Sequence, residues 1–316
     1  MDIADLTVDA RRLSRDAAVW DGPLAFVELT GAAAGVGAIA LPPCPVIGIG
    51  EAGHPLAPLL DAVIEAPVDA SAIARQVLAH PRAAAAAVQL LRILPGLSLE
   101  AGLTAESLAY AMLQGSAEHR AWLGVPRNTG AGEGRIALAR EGGVLSVTLD
   151  RPEAGNAIDR AMRDGLYEAL ALAALDRDIE RVVLRAAGKA FSLGADLAEF
   201  GTTTDPASAH AIRMQTLPAR QAIRCADRLE AHVRGACVGA GLELAAFARR
   251  ITASGTAWFQ LPELAMGILP GAGGCVSLTR RIGRQRTALM ILSGKRLNAR
   301  QALGWGLVDA LVDDPA

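Results

Sequence analysis

Val233-Arg234-Gly235-Ala236-Cys237-Val238-Gly239-Ala240-Gly241-Leu242-Glu243-Leu244 decides how this chain is read. Its small residues permit close backbone approach, and Gly239-Ala240-Gly241 immediately precedes a helical run from Leu242 to Phe247. Free N–H groups at such a helix start, together with the helix dipole, favour negative charge. A G-x-G is nevertheless common in turns, and Glu243 in a first helical turn is by default a dipole-friendly surface residue. Working outward, Lys189-Ala190-Phe191-Ser192-Leu193-Gly194-Ala195-Asp196-Leu197 reads as a buried strand running into a glycine turn. Gly194 supplies backbone freedom there. The turn is either a plain corner or one that presents the Ala195 N–H to a ligand oxygen. Downstream, Phe259-Gln260-Leu261-Pro262-Glu263-Leu264 is followed by the glycine-rich stretch Gly267 to Gly274. Glu263 sits among apolar neighbours, where an ionised carboxylate needs partners or a function; otherwise it is an exposed loop acid before a glycine-rich helix start.

Around these stretches, strand and helix signals alternate. Val144 to Leu149 reads as a strand closed by Asp150-Arg151-Pro152, and Met162, Leu166, Leu170 and Leu175 recur near helical spacing through Ala157 to Leu175. Val182-Val183-Leu184 reads as a buried strand. This alternation favours an α/β fold. In the first half, Leu24 to Leu29 and Pro45 to Ile49 read as short strands, and Ser71 to Leu123 as helix broken at Pro81 and near Pro95-Gly96. The glycine-rich residues 124–134 read as a linker, dividing the chain into an N-terminal extension, 1–123, and a second half, 135–316.

The 316 residues are 52% hydrophobic and 20% charged, with a formal net charge of −2. That apolar fraction over that length can bury a substantial core, which excludes a wholly disordered chain. The near-neutral balance carries no electrostatic footprint for nucleic acid. Cys44, Cys225, Cys237 and Cys275 form no C-x-x-C pair, so neither a disulfide framework nor a structural zinc site is expected, and a reducing, cytoplasmic compartment is the default. His54, His80, His119, His210 and His232 are scattered without ligand spacing. Met1 to Asp5 lacks the basic-then-apolar order of a signal peptide. Ala83 to Leu94, the strongest apolar stretch, contains Gln89 and Arg92, so no membrane span is expected. Arg280, Arg281, Arg284 and Arg286 form a basic cluster that reads as a solvated helix face, or as a contact for phosphates.

The three motifs together resemble the crotonase, or enoyl-CoA hydratase/isomerase, family. Leu149-Asp150-Arg151-Pro152-Glu153-Ala154-Gly155-Asn156-Ala157 and Gly306-Leu307-Val308-Asp309 extend the resemblance over roughly residues 135–313. It implies an α/β fold, a crotonase-like spiral of repeated ββα units, here with an N-terminal mixed α/β extension ending in helices. It also implies an enzyme acting on an acyl-CoA thioester through an enolate held by two backbone N–H groups, which map to Ala195 and Ala240. Because the donors are backbone groups, alanine at 240 in place of the frequent glycine is chemically acceptable. Leu193 falls where the family's peptide carbonyl contacts the adenine of coenzyme A, and Gly194, Asp196 and Leu197 belong to the same acyl-CoA-lining turn. By analogy Glu243 orients and deprotonates water while Glu263 protonates Cα, since addition across an α,β-double bond needs one proton taken and one given. Hydration of a 2-enoyl-CoA is therefore expected. An isomerase, another crotonase-type reaction and a non-catalytic acyl-CoA-binding subunit are the alternatives. No metal or redox cofactor is implied, coenzyme A being part of the substrate. The expected assembly is a homo-oligomer, a trimer or hexamer, with no nucleic-acid partner.

Family members normally continue for one more helical segment beyond the point reached by Asp313-Asp314-Pro315-Ala316. Residues 73–83 and 101–111, with Glu118 beyond them, resemble that segment. The first half is thus expected to be either a degenerate crotonase-like copy whose helices cap the second half, or an unrelated helical appendage.

Overall fold

A computed structural model describes residues 3–13, 22–30, 39–125 and 132–313. Residues 126–131, most of the expected linker, lie outside the described residues. The chain begins with a parallel sheet of β1 (Thr7–Val8), β2 (Ala25–Leu29), β3 (Val46–Gly50) and β4 (Ala62–Val63), in that order. Successive strand side chains point to opposite faces, and β2 shows the consequence. Phe26 enters the main core, whereas Ala25, Val27 and Leu29 pack with Leu13, Leu56 and Leu60 in a second cluster on the other face.

Four helices follow: α1 (Ala70–Ala79), α2 (Pro81–Ile93), α3 (Leu99–Gln114) and α4 (Ala117–Leu123). Asp69, Ser98 and Ser116 cap α1, α3 and α4 by accepting from Ala72, Ala101 and His119 N–H groups that have no intrahelical acceptor. Pro81 opens α2, where its missing N–H costs nothing. Glu118 of α4 accepts from the N–H groups of Arg82 and Ala83, at 2.8 and 3.1 Å, so the helix layer is tied together at its ends. Among the described residues no single helix is long and apolar enough to cross a membrane; α1 with the segment Pro81–Gly96 reaches that length only as a pair bent by 112°.

The second half is built from β5 (Arg135–Glu141), β6 (Val144–Asp150), α5 (Arg160–Leu175), β7 (Arg181–Ala186), α6 (Pro206–Thr216), α7 (Ala219–Cys225), β8 (Leu229–Val233), β9 (Ala236–Val238) and α8 (Ala240–Ala245). It continues with β10 (Arg250–Ser254), β11 (Trp258–Gln260), α9 (Gly274–Ser293), β12 (Leu297–Asn298), α10 (Ala299–Gly304) and β13 (Ala310–Val312). Six strands form one sheet in the order β13-β10-β8-β7-β6-β5, parallel except for the β5–β6 hairpin. A smaller sheet runs β12-β11-β9, with β9 and β11 parallel. This is the mixed α/β architecture the sequence implied.

Three local expectations need correction. Phe191 to Asp196 forms no strand; it is held by single bridges from Ser192 to Cys237 and from Ala195 to Ile158, because Gly194 adopts φ +97° and interrupts the extended backbone. Helix α8 starts at Ala240 rather than Leu242, and α5 at Arg160 rather than Ala157, where Asp159 caps it through Met162 N. The arginine cluster is neither a solvated face nor a phosphate contact. Only Arg280 is exposed. Arg281 donates to the Ala248 and Leu307 carbonyls and pairs with Asp309. Arg284 reaches Asp61 and the Leu60 carbonyl, and Arg286 pairs with Glu65 at 2.8 Å.

Those pairs join α9 to the N-terminal sheet, and the core is continuous across the same boundary. Phe26, Ile47, Leu91 and Leu103 of the first half belong to one apolar cluster with Leu145, Leu184, Phe259 and Leu289 of the second. Helices α1, α2 and α3 all pack on α9.

Candidate active site

Two glycine turns meet at the centre of the second half. In the first, Ser192 Oγ donates to the Asn156 carbonyl and accepts from Gly194 N, which fixes the start of the turn. The parallel bridge to Ile158 uses the Gly194 carbonyl and the Asp196 N–H, leaving the Ala195 N–H outside it. In the second, Gly239 at φ +48° leads into α8, so Ala240 is a first-turn residue whose N–H has no intrahelical acceptor. The approach is close: a Cβ on Gly194 would lie 3.7 Å from Ala240 N, and one on Gly239 would lie 2.6 Å from Glu263 Oε1. The two glycine turns and the Glu263 carboxyl group therefore meet, and the Ala195 and Ala240 N–H groups have no acceptor among the described residues.

Both glutamates are buried, at 2% exposure for Glu243 and 7% for Glu263, which rules out their surface-residue readings. Their surroundings differ. Glu243 Oε2 accepts from Ala272 N at 2.7 Å and Gly274 N at 2.8 Å. Burial pushes its pKa up to about 7, with those two N–H groups pulling the other way. Glu263 lies in the turn Glu263–Met266, and its Oε2 is buried with no protein hydrogen-bond partner. Burial, reinforced by the charge on Glu243, holds its pKa well above the ordinary carboxylate range. Of the two, Glu243 is the one equipped to ionise, and Glu263 the one kept protonated.

Ala195, Ala240, Glu243 and Glu263 line one cavity of about 260 Å³. Leu193, Gly194 and Asp196 line it as well, with Leu193 half exposed. Asp196 is tied to Arg151 at 2.7 Å. Although partial burial opposes ionisation, the Ala198 N–H and the Arg151 guanidinium hold its pKa below the usual value. Leu197, the last residue of that turn, is 40% exposed and takes no part in the cavity wall. Among the described residues no group of three or more His, Cys, Asp or Glu is arranged to hold a metal ion.

Several cavity residues were not singled out from the sequence. Helix α3 supplies Tyr110 and Gln114, and α6 supplies Arg213. Glu106, also on α3 and 1% exposed, accepts from Gly273, Cys275 and Val276 N–H groups at 2.6, 2.8 and 3.3 Å. The loop end and first turn of α9 are thus held by two side chains: 272 and 274 by Glu243, 273, 275 and 276 by Glu106. One signal was present in the sequence, since helical spacing puts Glu106 on the same face as Leu99, Leu103 and Tyr110. Helix α4 closes the same side. His119 Nδ1 lies 2.8 Å from the Met266 carbonyl, and Trp122 packs edge-on against Phe200, with ring centroids 5.5 Å apart.

Residues 139–315 match the family model described as enoyl-CoA hydratase/isomerase. Over 173 residues the chain is 38% identical to the 2,3-dehydroadipyl-CoA hydratase of Escherichia coli, covering 55% of this chain and 67% of that protein. Over 179 residues it is 35% identical to a mevalonyl-coenzyme A hydratase of Beauveria bassiana, covering 54% of this chain and 64% of that one. The chain therefore spans about two thirds of the length of these curated relatives. Among solved structures, an enoyl-CoA hydratase from Thermoplasma volcanium superposes with a TM-score of 0.51 at 38% identity, over 57% of this chain and 72% of the other.

Proposed function

The chain belongs to the enoyl-CoA hydratase/isomerase family, and from that premise we propose that it hydrates a 2-enoyl-CoA to the 3-hydroxyacyl-CoA. The observation that carries the reading is the pair of buried glutamates on one cavity, in opposite hydrogen-bonding environments and beside two unengaged backbone N–H groups.

In this mechanism the thioester oxygen accepts from Ala195 N and Ala240 N, the oxyanion hole, which polarises the conjugated system. Glu243, as carboxylate, takes a proton from water while the hydroxide adds to Cβ. Negative charge moves onto the thioester oxygen as the enolate forms. Glu263, as carboxylic acid, then gives its proton to Cα, and the thioester carbonyl returns. A preorganised donor of this kind is worth about 3 kcal/mol in the transition state. Leu193 and Gly194 line the mouth for the coenzyme A portion, which is part of the substrate. Helices α1 to α4 serve as the helical cover of the cavity, a role supported by Tyr110 and Gln114 in its wall and by α4 against Phe200 and Met266. A cytoplasmic setting suits four buried cysteines with no disulfide among the described residues. A homotrimer or hexamer is carried over from the family resemblance.

The free Oε2 of Glu263 favours isomerisation as the second reading, because one carboxyl group can shuttle a proton between Cα and Cγ. Glu243→Gln and Glu263→Gln, each assayed with 2-enoyl-CoA and 3-enoyl-CoA esters, separate the two. Hydration requires that both variants lose at least about 100-fold in kcat on the 2-enoyl ester while still binding it. Loss confined to Glu263→Gln, on the 3-enoyl ester, would replace hydration with isomerisation; no turnover in the parent protein would leave an acyl-CoA-binding protein.

A further inference from the structure

Arg213, on α6, contributes to the wall of the same cavity. Its Nε donates to Ser107 Oγ at 2.9 Å, Nη1 to Gln114 Oε1 at 2.9 Å, and Nη2 to the Ser107 carbonyl at 3.2 Å. All three acceptors are neutral. A guanidinium carries five N–H donors, so one N–H on each terminal nitrogen has no acceptor among the described residues. Apart from Glu243 and Glu263, the other charged residues of the wall are matched: Asp159 and Asp196 with Arg151, Glu199 with Arg160, Arg163 with Asp164. No carboxylate comes within ion-pair distance of Arg213 among the described residues. Its acidic neighbour, Glu106, gives both oxygens to N–H groups at the start of α9, from Gly273 and Cys275, and burial favours its neutral form. Burial likewise opposes the charge on Arg213.

A partly buried cation in that position, with an N–H on each terminal nitrogen free of protein acceptors, favours an anion opposite it. Taking a charge out of water is costly unless it is paired, and two adjacent free N–H groups suit the two oxygens of a carboxylate. The surrounding wall is apolar, formed by Phe200, Ile212, Leu217, Met266 and Ile268. A hydrocarbon tail would fill that space and leave the guanidinium dry and unmatched. The guanidinium is also connected through Tyr110 to the segment that Glu243 holds. Its Cζ is 4.6 Å from the centroid of Tyr110, and that ring packs so tightly on Gly271 that no Cβ would fit there. Gly271 directly precedes the loop that Glu243 holds. Tyr110 thus stands between the arginine and the segment that Glu243 holds, and all three side chains line the same cavity.

We propose that Arg213 reads the distal end of the acyl group, and that the preferred substrates are short enoyl-CoA esters whose chain ends in a carboxylate. The inference rests on the acyl-CoA reading of the site. Hex-2-enedioyl-CoA and hex-2-enoyl-CoA, matched in length, test it by turnover; adipoyl-CoA and hexanoyl-CoA test it by calorimetric binding, independently of any reaction. The parent protein is expected to favour the diacid ester of each pair by at least about tenfold. Arg213→Gln is expected to lose about 100-fold on the diacid esters and to stay within about threefold on the neutral ones, with Arg213→Lys in between. Equal handling of both esters by the parent protein overturns the proposal whatever the variants' folding, as does an equal loss on both esters in a folded Arg213→Gln. Tighter binding of adipoyl-CoA that depends on Arg213, without turnover of either enoyl ester, would uphold the carboxylate site and overturn the hydratase reading instead.

Discussion

At the residue scale the proposed division of acid from base between the two glutamates rests on their neighbours. Glu243 has two backbone N–H groups on one oxygen and a pKa near 7, whereas Glu263 has burial and a nearby negative charge against its ionisation. The sign of the pH dependence follows. Glu243 must be ionised to take the proton, so kcat/KM should fall about tenfold per unit as the pH drops below about 7. Glu263 must be protonated, so a second decline is expected only above its own raised pKa. A kcat/KM profile that climbs as the pH falls below 7 would contradict the assignment. That Glu243, Glu263, Ala195 and Ala240 share one cavity was legible because each sits in a short contiguous motif. Arg213 and Glu106 were not. Their partners Ser107 and Gly273 lie 106 and 167 residues away, and no local pattern encodes a contact over that separation.

At the scale of the element, α3 matters most. Its Glu106 holds three of the five N–H groups of residues 272–276, the loop end and first turn of α9, and Glu243 takes the other two. In Glu106→Gln one acceptor oxygen becomes an NH2 facing backbone N–H donors, and an unmet buried donor costs roughly 1–3 kcal/mol. Urea unfolding should show that loss, and kcat should fall more than KM rises, because the loop positions Glu243 rather than binding the ester. Unchanged stability and unchanged kcat would remove α3 from the site. The helix itself was legible from its apolar spacing and from the break near Pro95-Gly96. The segment 191–196 was misread as strand because its apolar residues match one, while its conformation is set by Gly194 and by the side chain of Ser192.

At the scale of the molecule, the N-terminal sheet and helices are fastened to α9 by a shared core and by Asp61. This carboxylate is 1% exposed; it accepts from Val46 N at 2.9 Å and pairs with Arg92 at 2.7 Å and Arg284 at 3.4 Å. Asp61→Asn leaves two partly buried guanidinium groups without their counter-ion, and a loss of about 3 kcal/mol in unfolding free energy is expected. A change within about 0.5 kcal/mol would mean that the arginines find other partners. The α/β character of the whole was legible from alternating strand and helix signals, but the arginine cluster was not. Its partners Asp61 and Glu65 lie more than 200 residues earlier, so a run of charge on one helix looked like a solvated surface. All of this organisation leads to one cavity and two carboxyl groups. The most direct test is the loss of conjugated enoyl-thioester absorbance on mixing the protein with crotonyl-CoA, with Glu263→Gln alongside. Rapid loss in the parent protein and none in the variant is expected; no loss in either, although the ester binds, would contradict hydration by this pair.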